Sequence, residues 1–176
     1  MILLLLACAG DADPLHGGGD WADYIAVRPD DSRVFRDDGG DDEPDPTRLL
    51  HAHAASDHRF ELRRGERWAD GAVVGEIVWD LSDGLVLESF VVDDLAAEGP
   101  LRLLFPDSAP GELVPSASYQ CVVGTPGELE TWYGTFIDAV TLDCDGAGFG
   151  GQWSFARDFG LVRFEGPLTL DLVAPW

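Results

Sequence analysis

Three of the four histidines fall within eight residues, in the order His51, His53, Asp57 and His58. Imidazoles with a carboxylate are the usual donor set for zinc, and a His-x-His pair on a strand would turn both rings to one face. The residues leading into the stretch point to a different backbone. Asp45 can cap a helix, Pro46 suits its first turn, and Leu49, Leu50 and His53 would then share one side. A short helix beside an acidic loop is therefore expected within 37–58. On a helix the side chains of His51 and His53 diverge by about 200°, which spoils a two-residue chelate. A metal site of His51, His53, Asp57 and His58 is the lesser expectation, and a solvated surface segment the main one.

The other chemical candidates are weaker. Gly146, Gly148 and Gly151 match Gly-x-Gly-x-x-Gly in spacing, but Trp153 and Phe155 continue as a strand. Without a following helix the backbone amides do not converge on a phosphate. Asp143, Asp145 and Gly146 echo the start of a calcium loop whose later oxygen ligands are missing. No Gly-x-Ser-x-Gly elbow occurs. All 11 basic residues are arginine, so a Walker phosphate loop, a Schiff-base lysine and a Ser-x-x-Lys nucleophile are ruled out. With 33 acidic residues and a net charge of −22, any two carboxylates could be paired on paper, and the acidic field disfavours nucleic acid. We expect no catalytic residues, no cofactor and no nucleic-acid partner. Loose divalent-metal binding, calcium or zinc, is the alternative that this charge leaves open.

Cysteine usage carries more. The opening residues "MILLLLACAGD" run from apolar Ile2–Leu6 into Ala7 and Cys8. This resembles a bacterial lipoprotein signal, in which an aliphatic residue, a variable one and a small one precede the cysteine to be lipidated. The resemblance implies a signal peptide over 1–7, cleavage before Cys8, and diacylglycerol on its sulfur. The small and polar residues of 8–20 suit a flexible tether. Ala9 resembles the outer-membrane form of the sorting signal. If Cys8 carries lipid, Cys121 and Cys144 remain, an even pair on two expected strands. They are either a disulfide or two reduced, buried thiols.

The elements that must position these residues are mostly of period two. Expected strands cover 23–27, 59–63, 72–81, 85–93, 101–105, 118–123, 135–144, 152–156, 161–166 and 168–174. Ser82-Asp83-Gly84 between two alternating runs is a strong hairpin signal. Leu168, Leu170 and Leu172 face one side while Thr169 and Asp171 face the other. A hydrophobic fraction of 45% over 176 residues supports one core, placed in a single domain over 21–176. The expected fold is all-β: a strongly curved antiparallel sheet of about nine or ten strands, as half-barrel, barrel or sandwich, with one short helix.

Gly134, Thr135 and Phe136, followed by Trp153, Phe155, Gly160, Leu161, Val162 and Arg163, resemble the closing pattern of a broad group of bacterial envelope lipoproteins. That resemblance implies a curved antiparallel sheet held at the cell envelope, facing the periplasm or the exterior, and no particular activity. Two functions then compete. One is a binding or interaction module whose concave sheet face, with Trp79, Phe90, Trp132, Trp153 and Phe164, receives an apolar ligand or an envelope protein. The other is a purely structural envelope protein in which those rings fill an ordinary core.

Overall fold

Runs such as Leu168–Val173 and Ala72–Asp80 alternate apolar and polar residues, so each can bury one face only by lying in a sheet with one wet side. The computed structural model describes Tyr24 and residues 32–36, 48–56, 59–97, 100–116, 119–146 and 149–175. The expected signal over 1–7, Cys8, the expected tether and most of the acidic loop lie outside the described residues, as do Asp57 and His58.

The described residues form fourteen strands. The first half holds β1 (Ser32–Arg36), β2 (Leu49–Ser56), β3 (Arg59–Arg64), β4 (Ala72–Asp80), β5 (Leu85–Val92), β6 (Leu95–Ala96) and β7 (Leu101–Leu104). The second holds β8 (Leu113–Pro115), β9 (Tyr119–Val123), β10 (Gly127–Glu130), β11 (Thr135–Gly146), β12 (Gly151–Ala156), β13 (Gly160–Glu165) and β14 (Thr169–Pro175). They make one sheet in the order β6-β5-β4-β3-β2-β1-β14-β13-β12-β11-β9-β8, with β7 added to β5 and β10 to β11. Every pairing is antiparallel, as short connections require. The sheet curls until β7 lies beside β9, without a ladder between them, so the barrel is not closed. The two long strands at the flanks each serve two partners on one edge. β11 pairs β10 through its first half and β9 through its second, and β5 divides likewise between β7 and β6.

The β4–β5 connection follows its sequence signal. Asp80 accepts a hydrogen bond from the Ser82 amide at 2.9 Å, and Gly84 adopts a φ of 92° that L side chains avoid. A Cβ there would also lie 2.2 Å from the Leu104 carbonyl oxygen on β7. Glycine is needed for the turn and for the close approach of the next strand.

The segment expected to be a short helix is instead β2. Leu50, Ala52 and Ala54 face the core while His51 and His53 face outward, and both edges are taken, by β1 and β3. Two ladders of hydrogen bonds override the mild helical preference of alanine and leucine. Tyr24, expected on a strand, has helical backbone. Besides β2, the strands missing from the sequence reading are β1, which lies between a turn and the acidic run, and β6, β8 and β10, of two, three and four residues. That length is too short to show a period.

A single core fills the curl. Phe35, Leu50, Leu62, Ile77, Trp79, Leu87, Phe90, Trp153, Phe155, Phe164, Leu170 and Leu172 are all buried. Burial of this apolar surface is what drives the sheet to bend upon itself.

Candidate functional site

Four of the five aromatic residues expected to face a ligand face one another. The Trp153 ring lies 4.1 Å from Phe164, 5.6 Å from Phe90 and 5.9 Å from Trp79, centroid to centroid. Phe149 stacks on Phe164 at 5.4 Å and 9°, and also meets Phe90. Tilted and edge-on arrangements of this kind suit the ring quadrupoles. Phe90, Trp153 and Phe164 have no exposed surface and Trp79 only 3%. The Trp153 indole N–H donates to the Tyr119 hydroxyl at 3.2 Å. Burial pushes the Tyr119 phenol up, against the lowering effect of that hydrogen bond.

The histidines stand on the outer face of β2. His51 is buried and its Nε2 donates to the Gly65 carbonyl at 2.9 Å. The His53 ring packs 5.1 Å from Trp68, over which Arg63 also lies at 4.5 Å. The strand gives the two imidazoles the shared face that a helix would deny them. Each, however, is engaged by the loop that follows β3. Among the described residues no group of three His, Cys, Asp or Glu is arranged to hold a metal ion. Asp143 and Asp145 line a surface cleft with Gln120, Gly150 and Gly151.

Cys121 on β9 and Cys144 on β11 are cross-strand partners joined by a disulfide. With 23 residues of separation it contributes about 3 kcal/mol in the chain-entropy account. It ties β9 to the second half of β11.

Trp132, the fifth aromatic candidate, is at the opposite end of β11 and belongs to a different group. Residues 131–134 form the tip of the β10–β11 hairpin, closed by hydrogen bonds between Thr131 and Gly134. The ladder between β13 and β14 stops at Arg163 and Asp171. The next carbonyl, that of Leu172, accepts instead from the Tyr133 amide at 2.8 Å. The Asp171 carboxylate accepts from the Trp132 amide at 3.3 Å and from Arg163 at 3.0 Å. The hairpin tip is thus tied to β14 where β13 parts from it. Tyr133 packs on Phe136 and Phe159, which meet edge-on at 4.9 Å. The Arg36 guanidinium lies 4.3 Å over the Trp132 ring.

Tyr24 closes the inner side of this end. Its hydroxyl donates to Asp138 at 2.5 Å, and Arg157 donates to Asp138 at 2.7 Å and to Tyr24 at 3.3 Å. Burial, then the bond to a carboxylate, pushes the Tyr24 phenol up to about 12. Desolvation acts to raise Asp138, but the hydrogen bonds from Tyr24 and Arg157 outweigh it and hold the carboxyl below its usual range. Bonding to Asp138 likewise raises Arg157. Such a triad holds its charges in place and offers no group poised to exchange a proton near neutral pH. Tyr24, Tyr133, Asp138, Arg157 and Phe159 escaped the sequence reading because their relation is wholly tertiary. The nearest sequence signal was "ETWYGTF", a tryptophan and a tyrosine set at a glycine turn. No protein-family model matches this chain, and neither a curated protein nor a solved structure matches it significantly.

Proposed function

We propose that this protein is a lipid-anchored envelope protein, a non-catalytic interaction module held at the bacterial outer membrane through Cys8 and working through its surface. The observation that carries this reading is the division of the three cysteines. Cys121 and Cys144 are bonded to each other, which suits an oxidising compartment and leaves Cys8, at the end of the lipobox-like "LLAC", for the lipid. The packing of Trp79, Phe90, Trp153 and Phe164 against one another supports a module that meets partners on its outside rather than one that carries an apolar molecule among those rings.

Metabolic labelling with an alkynyl fatty acid, followed by mass spectrometry of the membrane fraction, tests the anchor. The expected product begins at a diacylglycerol-modified Cys8, and the label is lost in Cys8→Ala. Water-soluble protein with an unmodified Cys8 would overturn the reading.

A further inference from the structure

Ile137, Tyr133 and Trp132 are three of the most exposed large apolar residues described, at 79%, 50% and 46%, and all three lie at one end of the sheet. A tryptophan, a tyrosine and an isoleucine at one hairpin end, with an arginine against the tryptophan, form the combination that favours the boundary between water and hydrocarbon. The folded body also receives the N-terminal chain at this end. Tyr24 bonds to Asp138, which shares a face of β11 with Phe136, and Phe136 packs on Tyr133. Fifteen residues separate Cys8 from Tyr24, so a lipid on Cys8 lies within about 55 Å of Tyr24.

We infer that the hairpin tip formed by Trp132, Tyr133 and Ile137 is a membrane-contact surface, seated in the interface of a zwitterionic phospholipid bilayer and facing the protein's own anchor. The inference rests on the anchored reading above. Charge selects the lipid. Exposed Glu130 and Asp158 flank the tip and the chain carries −22 overall, which opposes an anionic surface. The apolar area is too small to hold the protein alone, so the contact forms only when the tether raises the local concentration of the tip at the bilayer.

The test couples the full chain through the Cys8 thiol to a maleimide-headgroup lipid in phosphatidylcholine vesicles that contain brominated acyl chains. The disulfide leaves Cys121 and Cys144 unreactive. Coupling makes the geometry independent of natural lipidation, which mass spectrometry of cell-derived protein reports separately. Two reporters are compared in a Trp132→Phe background. Ile137→Trp places an indole at the tip. Val122→Trp places one at an exposed site opposite Asp143, about 20 Å away along β11. The bromine-induced loss of fluorescence attributable to the new indole is expected to be about twofold or more greater at 137 than at 122, given that separation. Uncoupled chain should show neither loss. Equal quenching of the two reporters, or none in either while coupling is complete, overturns the membrane-contact tip even if Cys8 proves to be lipidated in cells.

Discussion

Trp153 and Trp132 belong to the same sheet and meet opposite conditions. Trp153 has no exposed surface, is ringed by Trp79, Phe90, Phe149 and Phe164, and spends its indole N–H on Tyr119. Trp132 is nearly half exposed and is held at its backbone by Asp171, with its ring against Arg36. Residue type alone made both look like ligand-facing aromatics. The difference lies in what the neighbours do. At the centre, the rings are buried and pack against one another. At the hairpin tip, backbone hydrogen bonds and an arginine hold the rings in place without covering them.

The strongest way to break the comparison is to truncate the central ring. Trp153→Ala removes a fully buried indole, and such a change costs about 3–5 kcal/mol. Urea unfolding should show that loss in full, or the variant should fail to accumulate folded. A cost near that of an exposed residue would mean that the centre is not the closed core that its burial indicates. Next in size is the Cys121–Cys144 bond. Replacing both cysteines by serine should lower stability by about 3 kcal/mol while leaving the tip, at the other end of β11, unaltered in its accessibility to aqueous quenchers of Trp132 fluorescence.

Strands that alternate over five or more residues, such as β4, β5, β11 and β14, were legible because each carries its own apolar face. β2 was not. Its alanines and leucines lean toward helix, and its conformation depends on pairing with β1 on one edge and β3 on the other, which the segment itself does not show. The disulfide was half legible: an even pair on two strands, with the register that sets Cys121 opposite Cys144 supplied by the sheet. The tip shows the limit most clearly. Tyr24 and Asp138 are 114 positions apart, and no period or motif could join them.

That latch gives the third prediction, smaller and dependent on pH. Tyr24→Phe keeps the ring and removes the hydrogen bond to a carboxylate, at a cost of about 1–2 kcal/mol, moderated by the partial exposure of Asp138. The signs follow from the shifts. Asp138 is held below its ordinary value, so its contribution is present above the usual carboxylate range and fades as the pH falls through the depressed value. Tyr24 is raised to about 12, so the folded state retains a proton that the unfolded chain releases, and stability declines as pH rises from the ordinary phenol range to about 12. Thermal melts of Tyr24→Phe should show both slopes flattened. Unchanged slopes would show that the latch is not where this end of the sheet gets its pH response.

The smallest expected effect sharpens the comparison most. Trp132→Ala removes a half-exposed ring that lies over the buried Arg36 guanidinium, so its cost should be about 1 kcal/mol, between that of an exposed and of a desolvated cation–π contact. The Tyr133 amide still reaches the Leu172 carbonyl and the residue 132 amide still reaches Asp171, since both bonds are made by backbone. Stability in urea should therefore scarcely move. A loss comparable to that of Trp153→Ala would show that Trp132 is a structural wedge between β13 and β14. A near-neutral change leaves a large aromatic surface that folding does not require, and the reason for its exposure must then lie outside the core, in whatever the tip touches.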